Sequence, residues 1–253
     1  MKDLAGYQSD HEIIADKMRI IPFFRNCDDA AIKRLSENAI KHQYNKGKLL
    51  FVHEDSASRY YLICSGWVKT FRETLDGTQA VMDILNAGYI VGETAIFNDD
   101  LYSFSAELVE NAEIISFPLA DLRTEVESNP KLAMDMLKSL AQRNIKQDRE
   151  LEHLAIQNAP QRIGCFLLRL VYNQTQEGPI SIHLPYDKTL IAARLGMQPE
   201  TFSRALGKLK KETGLEVKGA TVSIDSIESL SRYSCAMCSS EFPCHDLKKM
   251  CEA

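Results

Sequence analysis

The sequence predicts an α+β fold: a β-rich N-terminal half, one long helix, and a C-terminal helical unit closed by a small hairpin. Three observations carry the prediction. Between Ile40 and Phe117 short apolar runs alternate with turn residues, and Gly66, Gly77 and Gly88 recur every eleven residues, the rhythm of a sandwich or barrel. From Pro130 to Asn158 nothing interrupts a helical pattern. After Pro160, two short amphipathic segments flank Gly196, the arrangement of a helix-turn-helix.

Taken in order, a short helix is expected over Ala30 to Asn38, ahead of the strands. Asp76-Gly77 lies between Val68-Lys69-Thr70-Phe71 and Ala80-Val81-Met82-Asp83-Ile84, a hairpin signal because glycine reaches positive φ cheaply. Asn129 can cap the long helix that Pro130 opens; such a helix would run on the order of 40 Å. On it, Ala133, Leu137, Leu140, Asn144, Gln147, Leu151 and Leu154 alternate spacings of four and three. That is either a coiled-coil seam, in which Asn144 can fix register and dimeric state, or one core face of a solvated helix. Arg162 to Tyr172 is apolar on one face through Ile163, Phe166, Leu167 and Leu170. A helix over Thr189 to Leu195 stops at Gly196, a second runs from Pro199 to about Lys211, and Leu215 to Ile224 reads as a wing. Two ordinary core helices would show much the same pattern as this pair.

Composition bounds the function. At roughly 150 residues per domain, 253 residues make one large domain or two modest ones. With 45% apolar and 26% charged residues, the chain can bury a real core, which excludes global disorder, collagen and a disulfide scaffold. No stretch of 18 consecutive apolar residues suggests a membrane span. Met1 to His11 lacks an apolar signal core, so a cytoplasmic protein is expected. The net charge of −5 argues against nucleic acid when averaged over the chain. Between Asp187 and Lys218, however, seven basic residues face four acidic ones, a local net of +3.

These residues carry a resemblance. Arg59-Tyr60-Tyr61-Leu62-Ile63-Cys64-Ser65-Gly66, Gly88-Tyr89-Ile90-Val91-Gly92-Glu93-Thr94-Ala95-Ile96-Phe97 and Gly196-Met197-Gln198-Pro199-Glu200-Thr201-Phe202-Ser203-Arg204, in that order, resemble the Crp/Fnr family of bacterial transcription regulators. The likeness extends from about Ile20 to Ser231. It implies a cyclic-nucleotide-binding-like β-roll over 1–128, a dimerisation helix over 129–158, a winged helix-turn-helix over 159–232 and a cysteine-rich tail over 233–253. It also implies a homodimer that binds DNA and works with RNA polymerase, without catalysis.

Cyclic-AMP binders of the family place Arg-Ser-Ala in the roll, where the guanidinium can grip the cyclic phosphate. Here the stretch reads Phe104-Ser105-Ala106, so no cyclic AMP is expected, and Glu93 reads as a structural turn. On the second helix, Glu200, Ser203 and Arg204 match the residues of the oxygen-sensing branch. Their i, i+3, i+4 spacing puts them on one face, where arginine can fork onto guanine and glutamate can accept from cytosine. The resemblance then implies an inverted repeat with TTGAT- or TTGAC-like half-sites. Pro199 stands where that branch carries valine, which leaves the outermost base open. Thr201 steadies the helix or touches phosphate; Lys208, Lys210 and Lys211 are phosphate contacts or a solvated face.

The cysteines are unevenly placed. In a reducing compartment, clustered thiols read as metal or redox sites rather than disulfides. Cys27, Cys64 and Cys165 sit alone in apolar patterns and read as small core hydrophobes. Cys235, Cys238, Cys244 and Cys251 fall in a C-x2-C-x5-C-x6-C pattern, and thiolates suit both zinc and iron–sulfur clusters. The x2 and x5 spacings resemble the N-terminal cluster motif of the oxygen-sensing branch, moved here to the other end of the chain, as in some other members. The expectation is a redox- or gas-sensitive [4Fe-4S] cluster, with four-thiolate zinc as the alternative. The fourth ligand stays open among Cys251, His245, a carboxylate near the long helix, and an isolated cysteine such as Cys27. A same-fold regulator sensing nitric oxide through haem or a small molecule in the roll, with a zinc tail, is the competing reading. His11, His42, His53 and His153 are then the candidate axial ligands. A dithiol oxidoreductase using Cys235 and Cys238 would need a thioredoxin-like context, which the sequence does not show.

Overall fold

A computed structural model describes residues 10–171, 180–184, 188–219, 221–239 and 242–244. The chain divides into two compact units, Met1–Ala141 and Gln142–Ala253.

The first unit opens with α1 (Asp10–Arg19), a 3-10 turn at Pro22–Phe24, and α2 (Asp29–Glu37). Asp28 caps α2 by accepting a bond from the Ala31 N–H at 2.7 Å, which satisfies one donor that the helix start leaves open. Eight strands follow: β1 (Ile40–Tyr44), β2 (Leu49–Phe51), β3 (Arg59–Ile63), β4 (Val68–Glu73), β5 (Gln79–Leu85), β6 (Ile90–Val91), β7 (Ser105–Leu108) and β8 (Ala112–Pro118). They form two antiparallel four-stranded sheets, ordered β1-β8-β3-β6 and β2-β7-β4-β5. The β4–β5 hairpin turns at Asp76-Gly77, with Gly77 at φ +82°. At Gly66 (φ +85°) a β-carbon would sit 2.6 Å from Ala112 Cβ, so both backbone and space require glycine there. The core between the sheets is built from Leu62, Val68, Ala106, Ile114, Ile115 and Phe117, all essentially buried. Tyr60 stacks on Phe117 at 5.0 Å, and Arg59 ties β3 to β8 by donating to the Ser116 carbonyl at 2.7 Å.

After α3 (Leu119–Ser128), α4 runs from Pro130 to Ile156. Asn129 Oδ1 accepts from the Lys131 and Leu132 N–H groups at 3.1 and 3.4 Å, the cap its position predicts. Leu132 and Met136 are buried with the first unit's core. Met134, Leu137, Ile145, Leu151 and Leu154 are instead exposed along the helix, Leu151 by 65%. Asn144 and Gln147 are exposed as well. The boundary between the two units falls within this helix, beyond the break expected at 128/129.

The second unit continues with α5 (Ala159–Val171), β9 (Ile180–His183), α6 (Lys188–Arg194), α7 (Pro199–Thr213), β10 (Glu216–Lys218), β11 (Thr221–Ile224) and α8 (Ile227–Ser234). Asn158 and Gln161 start α5 with a reciprocal pair of side-chain to N–H bonds at 3.0 and 3.1 Å, a capping box. Helix α6, the Gly196 turn (φ +63°) and α7 form the helix-turn-helix. Strands β10, β11 and β9 make a three-stranded antiparallel wing, one strand more than the sequence suggested. Helix α5 packs against both α7 and α8. The expected boundary at 232/233 falls inside α8, whose Ser234 is fully buried. The tail therefore begins as part of the folded unit.

Candidate functional site

Two features of the second unit can do chemistry. The first is α7. Its inner face, Phe202, Ala205, Leu206 and Leu209, is buried, while Pro199, Glu200, Thr201, Ser203, Arg204 and Lys208 are all exposed. Pro199 occupies the first turn, where its missing N–H costs nothing, and Gly214 closes the helix in the left-handed conformation at φ +77°. The outer face therefore begins with Glu200, Ser203 and Arg204 on adjacent turns and ends in Lys208, Lys210 and Lys211. Arg204 is exposed, and its Nε donates to the Glu200 carbonyl at 3.4 Å. An exposed fork of this kind suits guanine O6 and N7.

The second feature is a gathering of thiols where α5, α8 and the end of α4 meet. Cys235 is the residue that ends α8, and the Cys238 N–H donates to its carbonyl at 3.0 Å. His153, on α4, has Nε2 3.5 Å from Cys238 Sγ and Nδ1 3.9 Å from Cys165 Sγ. Arg169 approaches the same Nδ1 at 3.4 Å. Burial pushes the Cys235 thiol up to about 12, and the negative charges of Cys165, Cys238 and Cys244 add to the effect. Burial also raises Cys165; Arg169 opposes the rise, while Cys244 and Cys238 reinforce it. Cys165 and Cys238 thus lie on either side of one imidazole. Among the described residues, no three Cys, His, Asp or Glu side chains already stand as a metal site. The donor types nonetheless fit a sulfur-liganded centre, since thiolates bind zinc and iron and neighbouring cations favour their charge.

The tail's other candidates fare differently. Cys251 and His245 lie outside the described residues. Cys27 packs against the first unit's core, its thiol pushed up to about 12, chiefly by burial. Glu150, a carboxylate on α4, is engaged by Arg169 at 3.3 Å and by Arg194. Among the haem candidates, His11 Nδ1 is 3.0 Å from the Ser36 carbonyl and His42 Nε2 is 2.9 Å from Ser116 Oγ. His53 sits beside Glu54. Cys165 was expected to be an inert core thiol and His153 a candidate haem ligand; the structure instead places His153 between Cys165 and Cys238. Cys235 and Cys238 follow a helix C-terminus, the end whose dipole disfavours a thiolate. That is the wrong end for a dithiol oxidoreductase.

In the roll, Phe104 is buried, its ring 5.8 Å from Phe51, which stacks on Tyr102 at 3.9 Å. Ser105 Oγ accepts from the His53 N–H at 3.0 Å. Gly92 (φ +86°) turns the chain into a 3-10 segment, Glu93–Phe97, in which Glu93 is buried.

Residues 41–129 match the cyclic nucleotide-binding domain family, and residues 161–233 match the Crp-like helix-turn-helix domain. The chain is 32% identical over 187 residues to the fumarate and nitrate reduction regulatory protein of Vibrio cholerae, covering 73% of this chain and 74% of that one. The chain belongs to the Crp/Fnr family. It is therefore a DNA-binding transcription regulator of Crp/Fnr type, and its relatives are regulators rather than enzymes.

Another Crp/Fnr relative, the CRP-like cAMP-activated global transcriptional regulator of Mycobacterium tuberculosis, is 27% identical over 212 residues, 83% of this chain and 94% of that one. The crystal structure of a Ruegeria pomeroyi protein named for cyclic nucleotide binding superposes with a TM-score of 0.64 at 31% identity, over 89% of this chain and 99% of that one. FixK2 of Bradyrhizobium japonicum shares the fold at a TM-score of 0.67 and 19% identity, over 76% and 95%. The Crp-like match takes in Cys165 but ends before Cys235. The four tail cysteines thus lie beyond the segment that matches the family's helix-turn-helix domain. No helix among the described residues is long and apolar enough to cross a membrane.

Proposed function

We propose that this Crp/Fnr regulator binds a TTGAT- or TTGAC-like inverted repeat as a homodimer, under the control of a redox- or gas-sensitive [4Fe-4S] cluster held by its C-terminal cysteines. The supporting observation is that one compact unit carries both the exposed Glu200, Ser203 and Arg204 face and the gathered tail thiols. When bound, such a cluster supplies sensitivity to oxygen and nitric oxide. The protein's part is to let that chemistry change the position of its own helices.

Arg204 forks onto the guanine of each half-site, Glu200 accepts from a cytosine amine, and Ser203 bonds either. Thr201 and Lys208 take phosphates, and Pro199 meets the outermost base. Two copies of α7 can read an inverted repeat only if the chain pairs about a two-fold axis. The exposed apolar residues of α4, Leu137, Leu151 and Leu154 among them, supply a face for that pairing. RNA polymerase is the remaining partner, and the cytoplasm the place of action. The buried aromatic packing of Phe51, Tyr102 and Phe104 supports a roll that takes no cyclic AMP.

The test is anaerobic purification with iron, sulfide and zinc counted per chain, and fluorescence anisotropy on a TTGAT inverted repeat before and after exposure to air. About four irons and four sulfides, with DNA affinity falling by about 5–150-fold in air, is the expected result. About one zinc per chain with affinity indifferent to air makes the tail structural and refutes the switch.

A further inference from the structure

The sequence leaves the fourth ligand open among Cys251, His245, a carboxylate near the long helix and an isolated cysteine, and Cys251 lies outside the described residues. We propose that Cys165, on the first helix of the DNA-binding unit, completes the thiolate set with Cys235, Cys238 and Cys244, while His153 donates a hydrogen bond to the ligating sulfur. This rests on the reading of the tail as a metal site and names the ligand that fastens it to the fold.

Two independent features bring Cys165 there. Gly164, its neighbour on α5, packs directly on Ser234, the neighbour of Cys235 on α8: a β-carbon on Gly164 would fall 1.9 Å from Ser234 Oγ. Helices approach so closely only where one residue has no side chain, and the contact sets the α5 turn that carries Cys165 against the end of α8 that carries Cys235. The second feature is His153, which reaches Cys165 with one ring nitrogen and Cys238 with the other, at 3.9 and 3.5 Å. A single imidazole thus joins a thiol of α5 to a thiol of the tail.

The chemistry is consistent with that placement. A thiolate site wants four donors, and the described tail offers three. A fourth drawn from the tail alone would anchor the site to the fold only through Cys235 at the end of α8. A fourth drawn from α5 ties the tail to the helix that packs on α7. An imidazole N–H on a ligating sulfur is the kind of outer partner that tunes thiolate sites. A ring poised between two sulfurs can give its proton to only one at a time.

The test uses the full-length protein isolated anaerobically with its metal. Wild type, Cys165→Ser and Cys251→Ser are compared for iron, sulfide and zinc per chain and for visible absorbance. Wild-type protein is also alkylated with iodoacetamide before and after metal removal, and the labelled cysteines are mapped by mass spectrometry. The expected result is loss of most metal in Cys165→Ser, wild-type content in Cys251→Ser, and a Cys165 that becomes labelled only once metal is removed. If Cys165→Ser disturbs α5, the alkylation pattern of the wild type decides by itself. Labelling of Cys165 in the loaded protein, with Cys251 protected, overturns the assignment and leaves the tail as a metal site. A wild-type chain that isolates without metal or sulfide overturns the tail reading, and this assignment with it.

Discussion

The approach of α5 to α8 can be tested without any metal. A β-carbon on Gly164 would meet Ser234 Oγ at 1.9 Å, Ser234 Cβ at 3.0 Å and Leu230 Cδ1 at 3.3 Å. Ser234 is fully buried, and its hydroxyl has no hydrogen-bond partner among the described residues. The first contact is far inside van der Waals range and forces the buried hydroxyl to move, whereas the other two need the neighbour to give by only a few tenths of an ångström. Overpacking of this kind costs about 1–3 kcal/mol, while alanine gains about 1 kcal/mol over glycine in a helix interior. Gly164→Ala should therefore destabilise the C-terminal unit by about 0–2 kcal/mol. Ser234→Ala deletes the closest atom and an unpaired buried hydroxyl, so alone it should be neutral or stabilising by about 1 kcal/mol. Combined, the two should recover most of the loss, with a coupling energy of about 1 kcal/mol in a double-mutant cycle. Urea unfolding of metal-free protein, followed by circular dichroism, reads all four forms. A Gly164→Ala protein stabilised by about 1 kcal/mol, with no coupling to Ser234, would mean that helix propensity alone operates. The close packing of α5 on α8 at Gly164 would then be refuted.

Further outcomes follow from the same structure. Arg204→Ala should weaken binding to the inverted repeat by about 5–150-fold and relax preference at the guanine, whereas Lys208→Ala should weaken all duplexes alike and lower the salt slope by about one; anisotropy across salt concentrations separates the two. Leu137→Asp combined with Leu151→Asp should convert a dimer to a monomer in analytical ultracentrifugation, and an unchanged dimer would remove α4 as the seam. Burial pushes the Glu113 carboxyl up, yet Lys17 and Lys41 hold it below the usual carboxylate range, with Lys41 Nζ at 2.9 Å and Gln43 Nε2 at 2.8 Å. Its contribution is therefore present above the unfolded pKa and lost as pH falls through the lowered folded value. Lys41→Met should flatten the acid limb of the N-terminal unit's stability, measured by thermal unfolding between neutral and acidic pH.

How much of this was legible depends on whether the signal was local. Asp76-Gly77 marked the β4–β5 hairpin, Asn129-Pro130 the start of α4, and Gly196 with Pro199 the turn of the helix-turn-helix, because each acts on its own backbone. The alternation of Ile180, Ile182 and Leu184 was a readable strand signal for β9. Ser226, whose side chain accepts from the Ser229 N–H at 3.1 Å, together with Ile227 and Leu230, was one for α8. Their absence from the sequence reading made the tail look detached. The company of Cys165 had no local signal. Its pairing with Cys235 and His153 depends on three helices folding together, and in the sequence it is only a cysteine on an apolar face.

Helix α5 is where a change in the thiol cluster can reach DNA. Cys165 faces the cluster, while Ile163, Phe166 and Leu167 line a cavity of about 420 Å³ with Phe202 and Leu206 of α7. Arg169 of α5 and Arg194 of α6 share Glu150 of α4, and Arg162 donates to the Leu195 carbonyl in the helix-turn-helix at 3.2 Å. A packed interior passes a displacement on, because its side chains have few alternative arrangements. On the proposed reading, a group that favours one position of α5 favours one position of Arg204. The difference in binding energy between the two positions sets the limit on control, and about 1–3 kcal/mol gives the 5–150-fold range expected of the whole protein. Glu150→Gln should weaken the clamp without touching thiols or DNA-reading residues. If control passes through α5, that variant keeps its metal and its base preference but loses part of its response to air.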